Sequence, residues 1–291
     1  MSRRLDWDRD RWTWPNREAS RFIQAGGIRW HVQQAGQGPV ILLVHGTGSS
    51  THTWRDFLPD LARDYTVIAP DLPGHGFTAP AAPGGYSIPG MCAALQSLLQ
   101  ALQLEPALCI GHSAGAAILC HMALMHALQL QRIVSINGAF LPFAGPASAI
   151  FSPLAKLLSG SSTLSRLIAW RAQDVASVER IIAGTGSRLD AVGLDLYSRL
   201  VGDPGHVAAA FAMMGNWDLH SFERELGSLT APLTLLVGDR DLAVPPSQAQ
   251  HVQAMVRHCE LRILPGLGHL AHEEAPGVVL PIVRTALASH A

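Results

Sequence analysis

Short apolar runs alternate with helical patterns along most of this chain. Val40–Val44 (VILLV) is continuous, apolar and rich in β-branched residues, which is typical of a strand buried on both faces of a parallel sheet. Similar runs predict strands at residues 66–69, 107–110, 132–136, 233–237 and 261–264. Helical patterns separate them at residues 53–62, 88–102, 114–128, 247–256 and 276–288. This order predicts an α/β fold with a mainly parallel central sheet flanked by helices.

The two ends of this pattern and one interruption suggest the domain organisation. Residues 22–24 and 28–34, joined through a Gly-Gly pair, predict an opening antiparallel hairpin. Between the strands at 132–136 and 233–237 the chain has only apolar helical patterns punctuated by Pro and Gly, too long for a plain loop. We therefore predict a Trp-rich extension, a core in two parts and a helical cap inserted between them. Their limits are 1–19 for the extension, 20–138 and 217–291 for the core, and 139–216 for the cap.

Three of the seven tryptophans, Trp7, Trp12 and Trp14, lie in the extension. Tryptophan often occupies half-buried positions, so we expect this segment to pack on the domain as a strap. The alternative is a docking surface for a membrane interface or a partner.

Composition excludes several classes of protein. Only 15% of the residues are charged and the net charge is −1, so the chain has no basic field for a nucleic acid. Residues 72–155 contain only Glu105 and Arg132 as charged residues, but Gly, His, Gln and Pro interrupt their apolar stretches too often for a membrane span. The N-terminal residues lack the apolar region of a secretory signal, and we expect a cytoplasmic protein. The four cysteines have no zinc spacing, and three of them lie in apolar stretches and fit core packing.

The strongest chemical signal is the segment GHSAG at residues 111–115. It follows a predicted strand and opens a predicted helix, which is the context of a nucleophile elbow. The strained turn would present the hydroxyl of Ser113, with a helix N-terminus behind it that favours negative charge. We therefore predict Ser113 as a nucleophile.

A serine nucleophile needs a histidine to take its proton and a carboxylate to orient that histidine. Asp241 follows the predicted strand at 233–237, and His269 follows the one at 261–264, which gives the order Ser, Asp, His. We predict Asp241 as the acid and His269 as the base. Asp239 and His272 are the competing candidates.

Two further sets of residues complete the predicted site. The glycine-rich bend HGTG at residues 45–48 follows a strand, so the backbone amides of Thr47 and Ala114 are predicted to bind an oxyanion. His45 is interpreted as a buried residue that fixes this loop, and DLPGHG at 71–76 as a rigid turn. The uncharged start of the cap predicts an apolar ligand path, which is lined by Phe140, Phe143 and Phe151.

Together the motifs HGTG, DLPGHG, GHSAG, GDRD and GLGH, in this order and at strand ends, resemble the α/β-hydrolase fold over residues 22–288. Within it, the segments WPNREASRF (14–22), HGTGSSTHTWRD (45–56), DLPGHGFT (71–78) and NGAFLPFAGPA (137–147) resemble the magnesium-chelatase accessory proteins of bacteriochlorophyll biosynthesis. This resemblance implies an association with magnesium insertion into protoporphyrin IX, with magnesium chelatase as a partner and a location peripheral to the photosynthetic membrane.

Two hypotheses about function follow. In the first, the protein is a serine hydrolase of an ester or related acyl bond in an apolar small molecule. In the second, an inherited hydrolase scaffold binds a porphyrin without catalysis and assists magnesium chelatase. Cofactor-independent oxygenation with the same triad is a further alternative. Fourteen histidines raise the question of a metal or tetrapyrrole ligand, but no HxH or HExxH motif is present, and we expect neither a metal nor a cofactor.

Overall fold

A computed structural model describes residues 4–142 and 174–288 of the chain. In these ranges eight strands form one sheet in the order β1-β2-β4-β3-β5-β6-β7-β8. The strands are β1 (Ser20–Ala25), β2 (Ile28–Ala35), β3 (Val40–Val44), β4 (Thr66–Pro70), β5 (Leu108–His112), β6 (Arg132–Ile136), β7 (Leu233–Gly238) and β8 (Cys259–Leu264).

The strand directions agree with the sequence pattern. β1 and β2 form the predicted hairpin, and β2 also pairs antiparallel with β4. All other neighbours, from β4 through β3 to β8, are parallel. The carboxyl ends of the parallel strands therefore lie along one edge of the sheet, where α/β proteins place their sites.

Eleven α-helices lie within the described ranges. They are α1 (Trp7–Asp10), α2 (Phe57–Leu61), α3 (Ile88–Leu102), α4 (Ala114–Leu124), α5 (Val175–Gly184), α6 (Ala191–Val201), α7 (Pro204–Gly215), α8 (Leu219–Leu226), α9 (Pro246–Met255), α10 (Ala271–Glu274) and α11 (Pro276–Ala288). Three short 3-10 helices add to them at Arg11–Thr13, Arg17–Ala19 and Thr51–Trp54.

The helices cover both faces of the sheet. Leu42 and Val44 of β3 point into a core with α3, α4, α8 and α9, while Ile41 and Leu43 point into a second core with α2 and α11. Successive residues of a strand face opposite sides, so one apolar run fills both cores. This explains why the central strands are continuously apolar.

A third apolar cluster joins the N-terminal segment to the helices that follow β6. Trp14 is 3% exposed and contacts Phe77, and Trp7 packs edge-on against Phe22 and Phe77. Val178 of α5 and Leu196 of α6 belong to the same cluster. The expected strap is thus confirmed for Trp7 and Trp14. Trp12 is 62% exposed and lies under the guanidinium groups of Arg11 and Arg17.

Some predicted elements were wrong in their limits. The helix predicted at 114–128 ends at Leu124, because the chain turns through His126 at a positive φ of 53°. The helix predicted at 53–62 is split into a 3-10 turn and α2. Residues 143–173 of the predicted cap lie outside the described ranges, and the cap limits at 139 and 216 stay a prediction. None of the helices described is long and apolar enough to cross a bilayer.

Candidate active site

Ser113 occupies the turn between β5 and α4. Its backbone has φ 50° and ψ −119°, a conformation that residues with a side chain rarely adopt. Two hydrogen bonds hold the turn: the Ser113 amide donates to the carbonyl of Ile136, and the Ala139 amide donates to the carbonyl of Ser113, both at 3.1 Å. The side chain is half-buried. Backbone strain of this kind concentrates at functional sites.

The glycines on either side of Ser113 are needed for steric reasons. A Cβ atom at Gly111 would lie 2.5 Å from the amide nitrogen of Ala116. A Cβ atom at Gly115 would collide with the carbonyl oxygens of Val44 and His45. Only glycine allows α4 to start this close to β3 and β5. The strand–turn–helix geometry expected from GHSAG is present.

Asp241 and His269 come together across the ends of β7 and β8. Nδ1 of His269 lies 2.8 Å from Oδ2 of Asp241, and the two residues are 9% and 3% exposed. Oδ1 of Asp241 accepts from the amides of Ala243 and Val244, each at 2.8 Å. An ionised carboxylate can only accept, so Nδ1 of His269 carries the hydrogen and Nε2 keeps a lone pair. This tautomer is the one that a general base requires.

The two competing residues make other contacts. Asp239 is exposed, and its Oδ1 accepts from the amide of Gly266 at 2.7 Å, which fixes the turn after β8. His272 is buried with Nε2 2.7 Å from Oγ1 of Thr53. The structure therefore pairs Asp241 with His269. Asp239 and His272 contact other groups. The catalytic roles of Asp241 and His269 stay predictions.

The loop after β3 lies directly against the nucleophile elbow. A Cβ atom at Gly46 would be 2.9 Å from Cβ of Ser113, so the loop backbone passes close to the serine. Ala114 is the first residue of α4, and its amide has no acceptor within the helix. Oγ1 of Thr47 donates to Sδ of Met213 at 3.3 Å, so the side chain of Thr47 is engaged with α7. The predicted oxyanion donors are the backbone amides of Thr47 and Ala114.

Buried hydrogen bonds fix the loops around the site. Nδ1 of His45 donates to the carbonyl of Gly46, and Nε2 accepts from the amide of Leu72, each at 2.8 Å. This confirms His45 as a buried residue that fixes the loop. Burial and the neighbouring His75 lower the pKa of His45 to about 4, so the ring is neutral at pH 7.

The turn at 71–76 is rigid because a buried carboxylate holds it. Asp71 accepts hydrogen bonds from the amides of Thr51 and Phe77 at 2.6 and 2.9 Å, and its Oδ2 lies 2.7 Å from Nδ1 of His31. Burial by itself would raise the pKa of Asp71, but His31 and these hydrogen bonds hold it well below the usual value. The carboxylate is therefore ionised and serves structure.

Of the three phenylalanines predicted on the ligand path, one is described. Phe140 is 2% exposed and stacks on Phe222 of α8 with ring centroids 6.4 Å apart, which places it in the core. Phe143 and Phe151 lie outside the described residues. The ligand-binding role of all three stays a prediction. In residues 4–142 and 174–288, no group of three or more His, Cys, Asp or Glu side chains is arranged to hold a metal ion.

Comparison with known proteins identifies the family. The model of the alpha/beta hydrolase fold family matches residues 39–276. The chain belongs to the α/β-hydrolase fold family. It is 36% identical to the magnesium-chelatase 30 kDa subunit of Rhodobacter capsulatus over 264 residues, which cover 90% of this chain and 92% of that protein.

Solved structures of other α/β hydrolases superimpose on nearly the whole chain. An alpha/beta hydrolase fold protein from Burkholderia ambifaria matches with a TM-score of 0.76 and 22% identity, over 97% of this chain and 99% of the other. The enol-lactonase from Burkholderia xenovorans LB400 matches with a TM-score of 0.75 and 19% identity, over 92% and 100%. At these identities the likeness concerns the fold alone.

Sequence reasoning missed Asn137, which contacts Asp241 in this member of the α/β-hydrolase fold family. Nδ2 of Asn137 donates to Oδ2 of Asp241 at 2.7 Å, so this oxygen is shared between Asn137 and His269. Asn137 has a positive φ of 49° and directly follows β6. A polar residue at the carboxyl end of a central strand was the available signal.

A buried polar cluster behind His269 was also missed. Oε1 of Glu273 accepts hydrogen bonds from the hydroxyls of Thr53 and Tyr197, and so connects the core to α6. Burial raises the pKa of Glu273 to about 7, although the two hydroxyls act against this rise. Oε2 lies 4.0 Å from Nε2 of His52. These residues come from three separate segments, and no sequence spacing relates them.

Proposed function

We propose that this chain is a serine hydrolase that cleaves an ester or related acyl bond in an apolar small molecule. We further propose that it acts in the cytoplasm, in association with magnesium insertion into protoporphyrin IX. The observation that carries the proposal is the 2.8 Å contact between His269 and Asp241, combined with the strained elbow at Ser113. The pathway assignment rests on the 36% identity to a magnesium-chelatase subunit.

The chemistry follows from the tautomer of His269. Nε2 of His269 takes the proton of Ser113 as Oγ attacks the carbonyl carbon of the substrate, and the imidazolium is stabilised by Asp241. The amides of Thr47 and Ala114 hold the oxyanion of the tetrahedral intermediate. His269 then gives its proton to the leaving group, and an acyl-serine forms. Water attacks this ester with His269 again as base, which releases the acid and restores Ser113.

Asn137 and the amides of Ala243 and Val244 act in this cycle through their hydrogen bonds to Asp241. They hold Asp241 in its orientation towards His269, because each donates a hydrogen bond to the carboxylate. Asp241 thus receives four hydrogen bonds when His269 is included.

The test is labelling and turnover with simple substrates. Purified protein should react with a fluorophosphonate probe at Ser113 and hydrolyse p-nitrophenyl esters. Ser113→Ala should abolish both, whereas Ser228→Ala, at an exposed serine, should change neither. A folded wild-type protein that neither labels nor turns over would refute the hydrolase.

The second candidate is a porphyrin-binding accessory protein of magnesium chelatase that does not use the triad. The name of the Rhodobacter capsulatus relative favours it. A deletion strain complemented with Ser113→Ala separates the two functions. Normal bacteriochlorophyll in that strain would support the accessory role, whereas accumulation of an intermediate as in the deletion would support catalysis.

A further inference from the structure

His112 lies between the nucleophile and the base although it belongs to neither group. It is the last residue of β5, next to Ser113 in the chain, and is 2% exposed. Its Nε2 lies 3.0 Å from the backbone carbonyl oxygen of His269. A carbonyl can only accept, so Nε2 carries the hydrogen and Nδ1 has the lone pair.

The ring of His112 packs between two segments of the site, the loop that contains Gly46 and the segment that contains His269 and His272. A Cβ atom at Gly46 would lie 2.8 Å from Nδ1 of His112, so the backbone of the loop after β3 passes close to the ring. The ring centroids of His269 and His272 are 4.8 and 4.6 Å away. Nδ1 is buried and has no hydrogen-bond partner among residues 4–142 and 174–288. A buried polar atom without a partner costs free energy, and an apolar residue at this position would avoid that cost. The hydrogen bond made by Nε2 is therefore the feature of His112 that an apolar residue could not replace.

The other bonds of the loop around His269 lead away from the nucleophile. The amides of His269 and Leu270 donate to residues 185 and 187, in the segment between α5 and α6. The amide of Gly268 donates to Oε1 of Glu274. The bond from His112 instead ties this loop directly to the strand that carries Ser113.

We propose that His112 is a positioning residue, whose Nε2–H holds the backbone of His269 so that its imidazole faces Ser113 and Asp241 together. This inference rests on the proposed hydrolase function. The bond is suited to the reaction because burial, together with His272 and His269, keeps the pKa of His112 well below its usual value. His112 therefore stays neutral when His269 becomes charged, and the direction of its hydrogen bond does not change.

The amide side chains of glutamine and asparagine give a matched pair of variants. A glutamine amide reaches about as far as Nε2 of histidine, whereas an asparagine amide reaches only as far as Nδ1. His112→Gln can keep the donor to the carbonyl of His269, and His112→Asn cannot. Both variants place a neutral polar group in the same cavity, so a general effect on folding should be similar in the two. His251→Gln, at an exposed histidine of α9, is the control.

Three measurements test the role: ester hydrolysis, fluorophosphonate titration of active sites, and the low-field proton NMR signal of Nδ1–H of His269. His112→Asn should lower kcat per active site by about 10- to 100-fold with KM nearly unchanged, because displacing a reacting group by about 1 Å has effects of this size. The NMR signal should broaden or shift. His112→Gln should restore both kcat and the signal.

The outcomes separate this inference from the proposed function. Equal kcat values and unchanged NMR signals in both variants would overturn the positioning role, as would equal losses in the two. A wild-type protein without esterase activity would refute the hydrolase, but the NMR comparison needs no substrate. A signal lost in His112→Asn and kept in His112→Gln would still support the positioning of His269.

Discussion

Acid should unfold this protein because its interior holds neutral histidines. His45, His75, His206 and His272 are at most 3% exposed, and burial lowers their pKa values to about 4, 3, 4 and 3. His45 and His206 each use one ring nitrogen to accept a backbone amide, from Leu72 and Gly76. Protonation would remove that acceptor, so the folded state disfavours the protonated form of these two histidines.

The direction of the pH effect follows from the difference between the pKa values of these histidines in the folded and unfolded chain. In the unfolded chain these histidines titrate near 6.5, so below this pH the unfolded state binds protons that the folded state refuses. Their contribution to stability is complete above pH 6.5 and is lost as the pH falls towards 3 to 4. At pH 5 each histidine lowers the free energy of unfolding by about 2 kcal/mol, and the four together by about 8 kcal/mol.

Glu273 acts in the opposite direction. Its pKa is raised to about 7, so between pH 4.5 and 7 the folded state binds a proton that the unfolded state releases. On acidification from pH 8 to pH 5, this proton uptake raises the free energy of unfolding by about 2 to 3 kcal/mol. The net loss of about 5 to 6 kcal/mol is comparable with the whole stability of a typical domain, which is about 5 to 15 kcal/mol.

Urea unfolding at pH 8, 6.5 and 5, followed by circular dichroism and tryptophan fluorescence, measures this loss. His75→Asn keeps a donor near the carbonyl of Pro73, which accepts from Nδ1 in the wild type, and should reduce the loss between pH 8 and pH 5 by about 2 kcal/mol. His251→Gln should leave it unchanged. A wild-type loss below about 2 kcal/mol would refute the reasoning, as would a His75→Asn variant with the wild-type pH dependence.

Three further predictions concern stability and the site. Trp14→Ala should lower the free energy of unfolding by about 3 to 5 kcal/mol, whereas Trp12→Ala, at an exposed ring, should change it by about 0.5 kcal/mol or less; equal effects in urea unfolding would contradict the strap. Gly46→Ala should cost about 1 to 3 kcal/mol and slow fluorophosphonate labelling, and Gly277→Ala, which has open space around it, should do neither. Glu273→Gln should raise the free energy of unfolding at pH 8 by about 1 to 3 kcal/mol, since it leaves no charge to desolvate; no gain would show that the carboxylate is well solvated or paired.

The sequence predicts the central sheet well because its strands are buried on both faces. Strands that are buried on both faces must be apolar throughout, and β3 and β6 were predicted with their full limits. The end of α4 was missed because His126, which turns the chain, is not a residue that marks a helix end. Local propensity contains no signal for such a turn when tertiary packing imposes it.

Only those residues of the candidate site that come directly after a predicted strand could be predicted from the sequence. Ser113, Asp241 and His269 were predicted as site residues because each follows the carboxyl end of a strand, within a glycine-containing turn. The contacts of His112 and Glu273 depend on how distant loops pack against one another. Such contacts have no period along the chain, and only the three-dimensional structure reveals them.

The abundance of histidine has a physical explanation that needs no metal. At the carboxyl edge of the sheet, the loops leave backbone amides and carbonyls that the strands do not pair, and burial without partners would be costly. A neutral imidazole offers one donor and one acceptor on a rigid ring. His206 does this between the amide of Gly76 and the carbonyl of Gly48, as His45 does between Leu72 and Gly46. The same neutral rings that hold the loops of the site therefore make the fold sensitive to acid, and a loss of activity below pH 6 should coincide with unfolding.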